Sequence, residues 1–218
     1  MYSFLLTCLL DALAGCSLPR IFSRIPTVIH HPMPEMAIDY KPFLDIGCPG
    51  EEGSLQRCEA DSQPAAMKCD MLYRPSDYLG GLDPAMPIAL CIVAPFEHED
   101  PEAYLAEIEE GGHMYTYGCL IGWRMRYVVM DDGMLRLIKN HIDLKNTFAP
   151  IDTAEDALSF AVAATGYSPY YAIDPDPRYR YYVSELEDTH VVETTEGYEV
   201  NLYGYQLWGC GPHPTFPA

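Results

Sequence analysis

Residues 123–138 read WRMRYVVMDDGMLRLI, and this stretch decides the fold of the chain. Apolar side chains alternate with arginines along its first half; the apolar ones are Trp123, Met125, Tyr127 and Val129. A period of two is typical of a strand in an antiparallel sheet that has one face in solvent. Asp132-Gly133 predicts a hairpin turn, because glycine adopts a positive φ at little cost. Residues 114–139 therefore predict two or three antiparallel strands.

The segments before this hairpin add a strand and a helix. Residues 87–95, PIALCIVAP, form an apolar run between two prolines, which predicts a buried strand. Asp100-Pro101 then starts a helix, with Asp as N-cap and Pro in the first turn. Gly111-Gly112 ends that helix.

The segments after the hairpin repeat the order of helix and hairpin. Residues 152–165 predict a helix that is capped by Asp152 or Thr153 and ended by Gly166. Residues 189–194 and 198–208 predict a hairpin that turns at Glu196-Gly197. The sequence therefore predicts an α+β fold, an antiparallel sheet of hairpins with helices packed on one face. Residues 209–213 look like a turn into a further strand, so we expect a C-terminal strand to be missing or supplied otherwise.

The first part of the chain differs in composition from the rest. Residues 16–87 are rich in proline and turn residues, and dense prolines leave few backbone donors for a sheet or helix. We expect this region to be loop-rich and stapled by disulfides. The predicted organisation is a signal-peptide-like segment at 1–15, the loop-rich region at 16–87 and an α+β domain at 88–218.

The N-terminus carries an export pattern. It reads MYSFLLTCLLDALAGC, and Leu13-Ala14-Gly15-Cys16 matches the lipobox of bacterial lipoproteins. In that family the signal peptidase cuts before the cysteine, whose sulfur carries a diacylglycerol. Two features depart from the pattern: no basic residue precedes the apolar run, and Asp11 lies inside it. The alternative is a short buried N-terminal helix that ends at Gly15.

Cysteine count supports export. Cleavage before Cys16 would remove Cys8, and lipidation would use Cys16. An even set would remain for three disulfides: Cys48, Cys58, Cys69, Cys91, Cys119 and Cys210. Cys48 and Cys58 could close a small loop, and Cys91 and Cys119 could bridge neighbouring strands. The alternative is a set of buried free thiols in a reducing compartment.

Charge excludes one class of function. The formal net charge is −19, so the surface repels phosphate backbones and nucleic-acid binding is not expected. A solvated acidic surface and an affinity for cations or basic partners both fit this charge. No apolar run after the N-terminus is long enough to cross a membrane, so contact with a membrane is expected only through the lipid anchor.

Three short segments carry a family resemblance. Residues 148–151 (FAPI), 155–158 (EDAL) and 164–166 (ATG) resemble a segment of uncharacterised bacterial exported proteins. Those proteins often carry a lipobox and a Gly-Cys-Gly-Pro-His element, which stands here at 209–213. The resemblance covers at best residues 116–213 and implies a location in the bacterial envelope or outside the cell, with no known activity. In the order of its elements, the helix-then-hairpin part is also similar to PepSY- or cystatin-like domains, which bind or inhibit partners.

Motifs for catalysis are absent from the sequence. No GxSxG, SxxK, GxGxxG or Walker A pattern occurs, and no histidine spacing is typical of a metal site. Cys210 and His213 are better explained by a turn than by a thiolate pair. His98 and His113 flank the acidic helix and could bind a metal with Glu97 or Glu99, although surface histidines are the default. We therefore predict no catalytic residue, no cofactor and no metal ligand.

Tyrosines provide the best candidate for an interaction surface. They offer a large contact area with few rotors, and the cluster comprises Tyr167, Tyr170, Tyr171, Tyr179, Tyr181 and Tyr182. Packing into the core and sheet edge is the equal alternative. The leading hypothesis is a non-enzymatic exported or lipid-anchored protein that binds a protein or peptide partner or serves structurally. The alternative is a secreted hydrolase-type enzyme whose site is assembled from distant residues.

Overall fold

The structure is a computed structural model that describes residues 25–117 and 122–204. The described residues form two compact units, one of residues 25–30 with 172–188 and one of residues 31–171 with 189–204. Several predictions concern positions outside the described residues: the signal-like segment, the lipid attachment at Cys16, the thiols of Cys119 and Cys210, and the last part of the second hairpin.

Ten strands occur among the described residues: β1 (Thr27–Ile29), β2 (Gln56–Arg57), β3 (Met71–Tyr73), β4 (Ile88–Val93), β5 (Tyr115–Tyr117), β6 (Trp123–Asp131), β7 (Met134–Ile138), β8 (Glu185–Glu187), β9 (Val191–Thr194) and β10 (Gly197–Val200). The α-helices of the same residues are α1 (Gln63–Ala66), α2 (Pro101–Gly111), α3 (His141–Phe148) and α4 (Ala154–Thr165). The smaller unit pairs β1 with β8 in parallel. The larger unit holds the main sheet and all four helices.

The main sheet is antiparallel and has six strands. Its order is β2-β3-β4-β6, and the other edge of β6 is shared by β5 and β7. The predicted hairpin is confirmed as β6 and β7, with Asp132 at φ 49° and Gly133 at φ 77° in the turn. Strands β2 and β3 come from the loop-rich region, so the sheet takes strands from both sides of residue 87.

Both faces of this sheet are covered. Along β4, side chains alternate between two cores, so Ile88, Leu90 and Ile92 face one core while Ala89, Cys91 and Val93 face the other. Helices α3 and α4 pack on the first core, and α2 packs on the second. The α+β class is confirmed, but the expectation of helices on one face is wrong. The reason is that β4 is apolar at every position and thus needs cover on both sides.

The face of β6 that the sequence assigns to solvent is also buried. Arg126 is only 3% exposed, and its guanidinium donates to the backbone oxygens of Gly112 (2.6 Å) and Ile108 (3.1 Å). These carbonyls belong to the C-terminal end of α2, where a cation is favourable. Burial lowers the pKa of Arg126 from its ordinary value. Arg126 therefore binds the C-terminal end of α2. Its place in an alternating strand does not indicate a sheet face in solvent.

Helix ends follow the expected local chemistry. Asp100 accepts a hydrogen bond from the Ala103 amide at the start of α2, and Thr153 forms a capping box with Asp156 at the start of α4. Helix α3, which follows its N-cap Asn140, was not predicted from the sequence. The second hairpin is confirmed as β9 and β10, although β10 ends at Val200 and the turn lies at 195–196.

Among the residues that the structure describes, two disulfides lie in the larger unit. Cys48 bonds to Cys58, as the small-loop hypothesis predicts. Cys69 bonds to Cys91, so the hypothesis that Cys91 bridges to Cys119 is wrong. The pairing of β3 with β4 explains the choice, because Cys91 lies on β4, Cys69 lies just before β3, and their Cα atoms are 5.3 Å apart. Disulfides of this kind are typical of proteins that fold in an oxidising, exported environment.

Candidate ligand-binding cleft

A cleft of about 410 Å³ opens on one face of the main sheet. Its floor is a row of side chains in register across three strands: Tyr73 of β3 pairs with Leu90 of β4, which pairs with Tyr127 of β6. Tyr115 of β5 adds a fourth side chain. Alternation along each strand places Tyr73, Leu90 and Tyr127 on the same face, so the sheet itself builds the floor.

The walls come from two segments beside the sheet. A short 3-10 helix, Asp77–Leu79, supplies Tyr78, whose ring stacks on Tyr171 at 5.8 Å between centroids. The segment that follows α4 supplies Tyr167 and Tyr170. Six tyrosines thus line the cleft.

The second wall is fixed by its backbone. Ser168 exchanges two hydrogen bonds with Tyr203, at 3.0 and 3.1 Å. Tyr170 donates its amide to the Thr189 hydroxyl (2.9 Å), and its carbonyl accepts from the Thr189 amide (2.8 Å). A wall held in this way loses little conformational entropy when a ligand binds.

Gly166 allows that wall to approach the floor. It ends α4 in the left-handed region, with φ 68°. A Cβ at this position would lie 2.6 Å from the Tyr115 ring. Only glycine therefore fits between the end of α4 and Tyr115.

The cleft is uncharged. The Tyr115 and Tyr127 hydroxyls lie 3.4 Å apart at the floor, and burial raises the pKa of both phenols above the ordinary value of 10.0. Burial also raises the pKa of Tyr78. All three are neutral at pH 7. Among the described lining residues, none has an ionisable acid or base other than a tyrosine.

Such a lining supports binding better than acid–base chemistry. Tyrosine rings supply apolar area and π faces, and their hydroxyls supply hydrogen bonds at the mouth. General acid–base catalysis most often uses a histidine, aspartate, glutamate or lysine, and the described lining contains none of these residue types. The volume falls within the range of small-molecule and side-chain sites.

A polar cluster, separate from the cleft, lies on the other face of the sheet. The Asp70 carboxylate accepts from the Ala94 amide (2.7 Å) and bonds His98 Nε2 (2.8 Å), and the His98 ring stacks on Tyr104 at 3.5 Å. The Tyr104 hydroxyl also donates to Asp70 (3.4 Å). Among the described residues no serine, threonine or cysteine, the usual nucleophiles, forms a hydrogen bond with His98. We therefore interpret the cluster as a structural contact that joins β3 and β4 to α2.

Three of the four side chains considered for a metal, Glu97, His98 and His113, bond to other protein groups. Glu97 forms an ion pair with Arg57, and His98 bonds Asp70. His113 lies 3.5 Å from the carboxylate of Glu109. These side chains at the two ends of α2 therefore form ion pairs with nearby protein groups.

The predicted tyrosine cluster is divided between the two units. Tyr167, Tyr170 and Tyr171 belong to the larger unit, where the first two line the cleft. The remaining three belong to the smaller unit: Tyr179, Tyr181 and Tyr182. Sequence reasoning missed four cleft tyrosines, namely Tyr73, Tyr78, Tyr115 and Tyr127. One feature of the sequence could have pointed to these residues, because Tyr127 lies on the apolar face of its strand.

In the part of the chain that the structure describes, fold and cleft together define an α+β domain with two disulfides and a tyrosine-lined cleft. No protein-family model, curated protein or solved structure matches this chain. In the described part of the chain, no helix has both the length and the apolar character needed to cross a membrane.

Proposed function

We propose that this chain is a non-enzymatic exported protein that binds a peptide or protein partner by taking a segment of it into the tyrosine-lined cleft. The observation that carries the proposal is the cleft itself, with six tyrosines around about 410 Å³ and no acid or base other than tyrosine among its described lining. Tyr170, at 47% exposed, provides a face that a ligand can cover.

The shape of the cleft supports a segment of peptide as ligand. Aromatic-lined grooves bind extended peptides because flat rings accept prolyl and aliphatic groups along a preformed backbone. The wall at 167–170 is held by backbone hydrogen bonds, so its tyrosines are already placed for contact. Tyrosine is also enriched at interfaces, because its side chain has few rotatable bonds and loses little conformational entropy on binding.

Export and anchoring belong to the same proposal. The two disulfides favour an oxidising compartment, and the lipobox at 13–16 supports lipid attachment at Cys16. The protein would then present the cleft on the cell envelope or outside the cell. The resemblance to exported bacterial proteins points the same way.

Binding is tested with a peptide array and matched variants. Tyr170→Ala removes one ring from the wall, and Tyr117→Ala is the control because Tyr117 is 51% exposed on β5 and is not a lining residue. We expect the array to select a sequence class whose affinity falls at least about tenfold in Tyr170→Ala and is unchanged in Tyr117→Ala. Equal binding by both variants, or no selected sequence, would overturn the proposal.

Anchoring is tested by the intact mass of the protein from its native host. A mature chain that starts at Cys16 with added lipid mass is the expected result. An unmodified chain that retains Met1 would contradict export through the lipobox, without bearing on the cleft.

A further inference from the structure

The C-terminal end of α4 lies at the cleft. Val162 and Gly166 both line it, and they bracket the last turn of this helix of 12 residues. Aligned peptide dipoles leave a partial negative charge at a helix C-terminus, which favours a cation nearby. That last turn contains no basic residue. The helix therefore leaves its negative end without an internal counter-charge.

The wall beside the 3-10 helix Asp77–Leu79 has one basic residue near it, Arg74, and its charge is neutralised by ion pairs. Arg74 lies between the lining residues Tyr73 and Pro75, and its guanidinium pairs with two carboxylates, Glu52 at 2.8 Å and Asp77. One positive charge thus faces two negative ones. The whole chain, at −19, adds a long-range attraction for cations.

The rings provide the short-range contact. A cation over the face of a tyrosine is attracted by the ring quadrupole, most strongly where water is excluded. Tyr115 and Tyr127 remain neutral phenols at the floor, so no phenolate charge contributes. Tyr127 is only 2% exposed, so the attraction comes from the π faces of the more exposed lining rings, of which Tyr115 is one. Exposed Tyr167 and Tyr170 offer further faces at the mouth.

We propose that the group recognised by the cleft is the cationic side chain of a basic peptide, arginine or lysine. This inference rests on the proposed function and specifies its ligand class. The helix end and the aromatic rings would surround the charge, while the stem of the side chain packs on the apolar floor. Arginine fits best because its planar guanidinium stacks on aromatic rings.

Short blocked peptides test the charge separately from the apolar contact. The peptides carry arginine or its neutral isostere citrulline, and lysine or norleucine, at one central position. Titration of the full chain, followed by NMR shifts, should give at least about tenfold tighter binding for each charged member, or about 1.4 kcal/mol. Added salt should reduce this difference because it screens the long-range term.

Two variants identify the source of the preference. Tyr170→Leu keeps an apolar wall but removes a π face, so it should weaken the arginine peptide and leave norleucine binding unchanged, with Tyr117→Leu as control. Thr165→Lys places a cation at the end of α4 and should weaken the charged peptides, while Thr165→Gln should not.

The outcomes separate this inference from the proposed function. Equal binding of charged and neutral peptides would overturn the cation inference while leaving an apolar peptide cleft in place. No binding of any of these peptides would also overturn it, and the array then decides the proposed function independently. A charge preference that survives both variants would locate the cation elsewhere and refute the assignment.

Discussion

Replacing Gly166 by alanine tests how the cleft is built. The residue has φ 68°, where an L side chain costs about 1–2 kcal/mol because Cβ crowds the carbonyl. The new Cβ would also lie 2.6 to 2.8 Å from three atoms of the Tyr115 ring. Overpacking of this kind costs a further ~1–3 kcal/mol. Gly166→Ala should therefore lose about 2–5 kcal/mol of the free energy of unfolding.

Gly133 provides the matched control. It has φ 77° in the β6–β7 turn, and a Cβ there would meet no atom within 4 Å. Gly133→Ala should lose only the conformational part, about 1–2 kcal/mol. The difference between the two variants isolates the contact between the end of α4 and the Tyr115 ring.

Urea unfolding measures both variants from the shift in midpoint at constant slope. Peptide titration of Gly166→Ala, under conditions where it is folded, should show weaker binding because Tyr115 must move from the floor. Equal loss of stability in the two variants would refute the close approach of Gly166 to Tyr115.

Three further predictions concern the fold. Removing the buried disulfide in Cys69→Ala/Cys91→Ala should cost about 3 kcal/mol by urea unfolding, because the bond closes a loop with a separation of 22 residues. Arg126→Met should cost about 1–3 kcal/mol, since it leaves a carbonyl at the end of α2 without its buried donor. Glu109→Gln should cost at most about 1 kcal/mol at pH 7, because the pair is partly exposed. The hydrogen bond from Arg124 lowers the pKa of Glu109 below its ordinary 4.5, so this contribution is full above 4.5 and is lost as pH falls through the folded value.

The first two predictions have a control variant, and the third is checked by its pH dependence. Cys48→Ala/Cys58→Ala opens a loop with a separation of only 10 and should cost less, so a larger loss there would contradict the loop-closure argument. Arg136→Met changes a more exposed arginine, and a loss equal to that of Arg126→Met would rule out the helix-end role. For Glu109→Gln, an offset from the wild type that persists unchanged below the folded pKa would contradict the ion pair.

Much of the fold could be predicted from local patterns. The turn at Asp132-Gly133, the N-cap Asp100 and the left-handed Gly166 are predicted and confirmed, because each depends on a few neighbouring residues. Of the two N-caps that the sequence permits for α4, Asp152 or Thr153, the structure has Thr153. The strand at 88–93 was visible as an apolar run for the same reason. Helix α3 was missed since its sequence, HIDLKNTF, is mostly polar and only three residues are buried.

Long-range pairings depended on the assembled sheet. Cys91 alone permits several disulfide partners, and the pairing of β3 with β4 brings it to Cys69. The burial of Arg126 also depended on the tertiary structure. Its position in an alternating strand predicts a side chain in solvent, but α2 covers that face of the sheet.

The sequence by itself determined the α+β class, the ends of two helices and the hairpin turns, since these follow from residues close together in the chain. Only the tertiary structure decided the cleft, because Tyr73, Tyr115, Tyr127 and Tyr167 come from separate strands and a loop. Strand register aligns these rings, and register is fixed by the packing of both faces of the sheet. A binding site made of distant side chains therefore becomes visible only when the strands are paired.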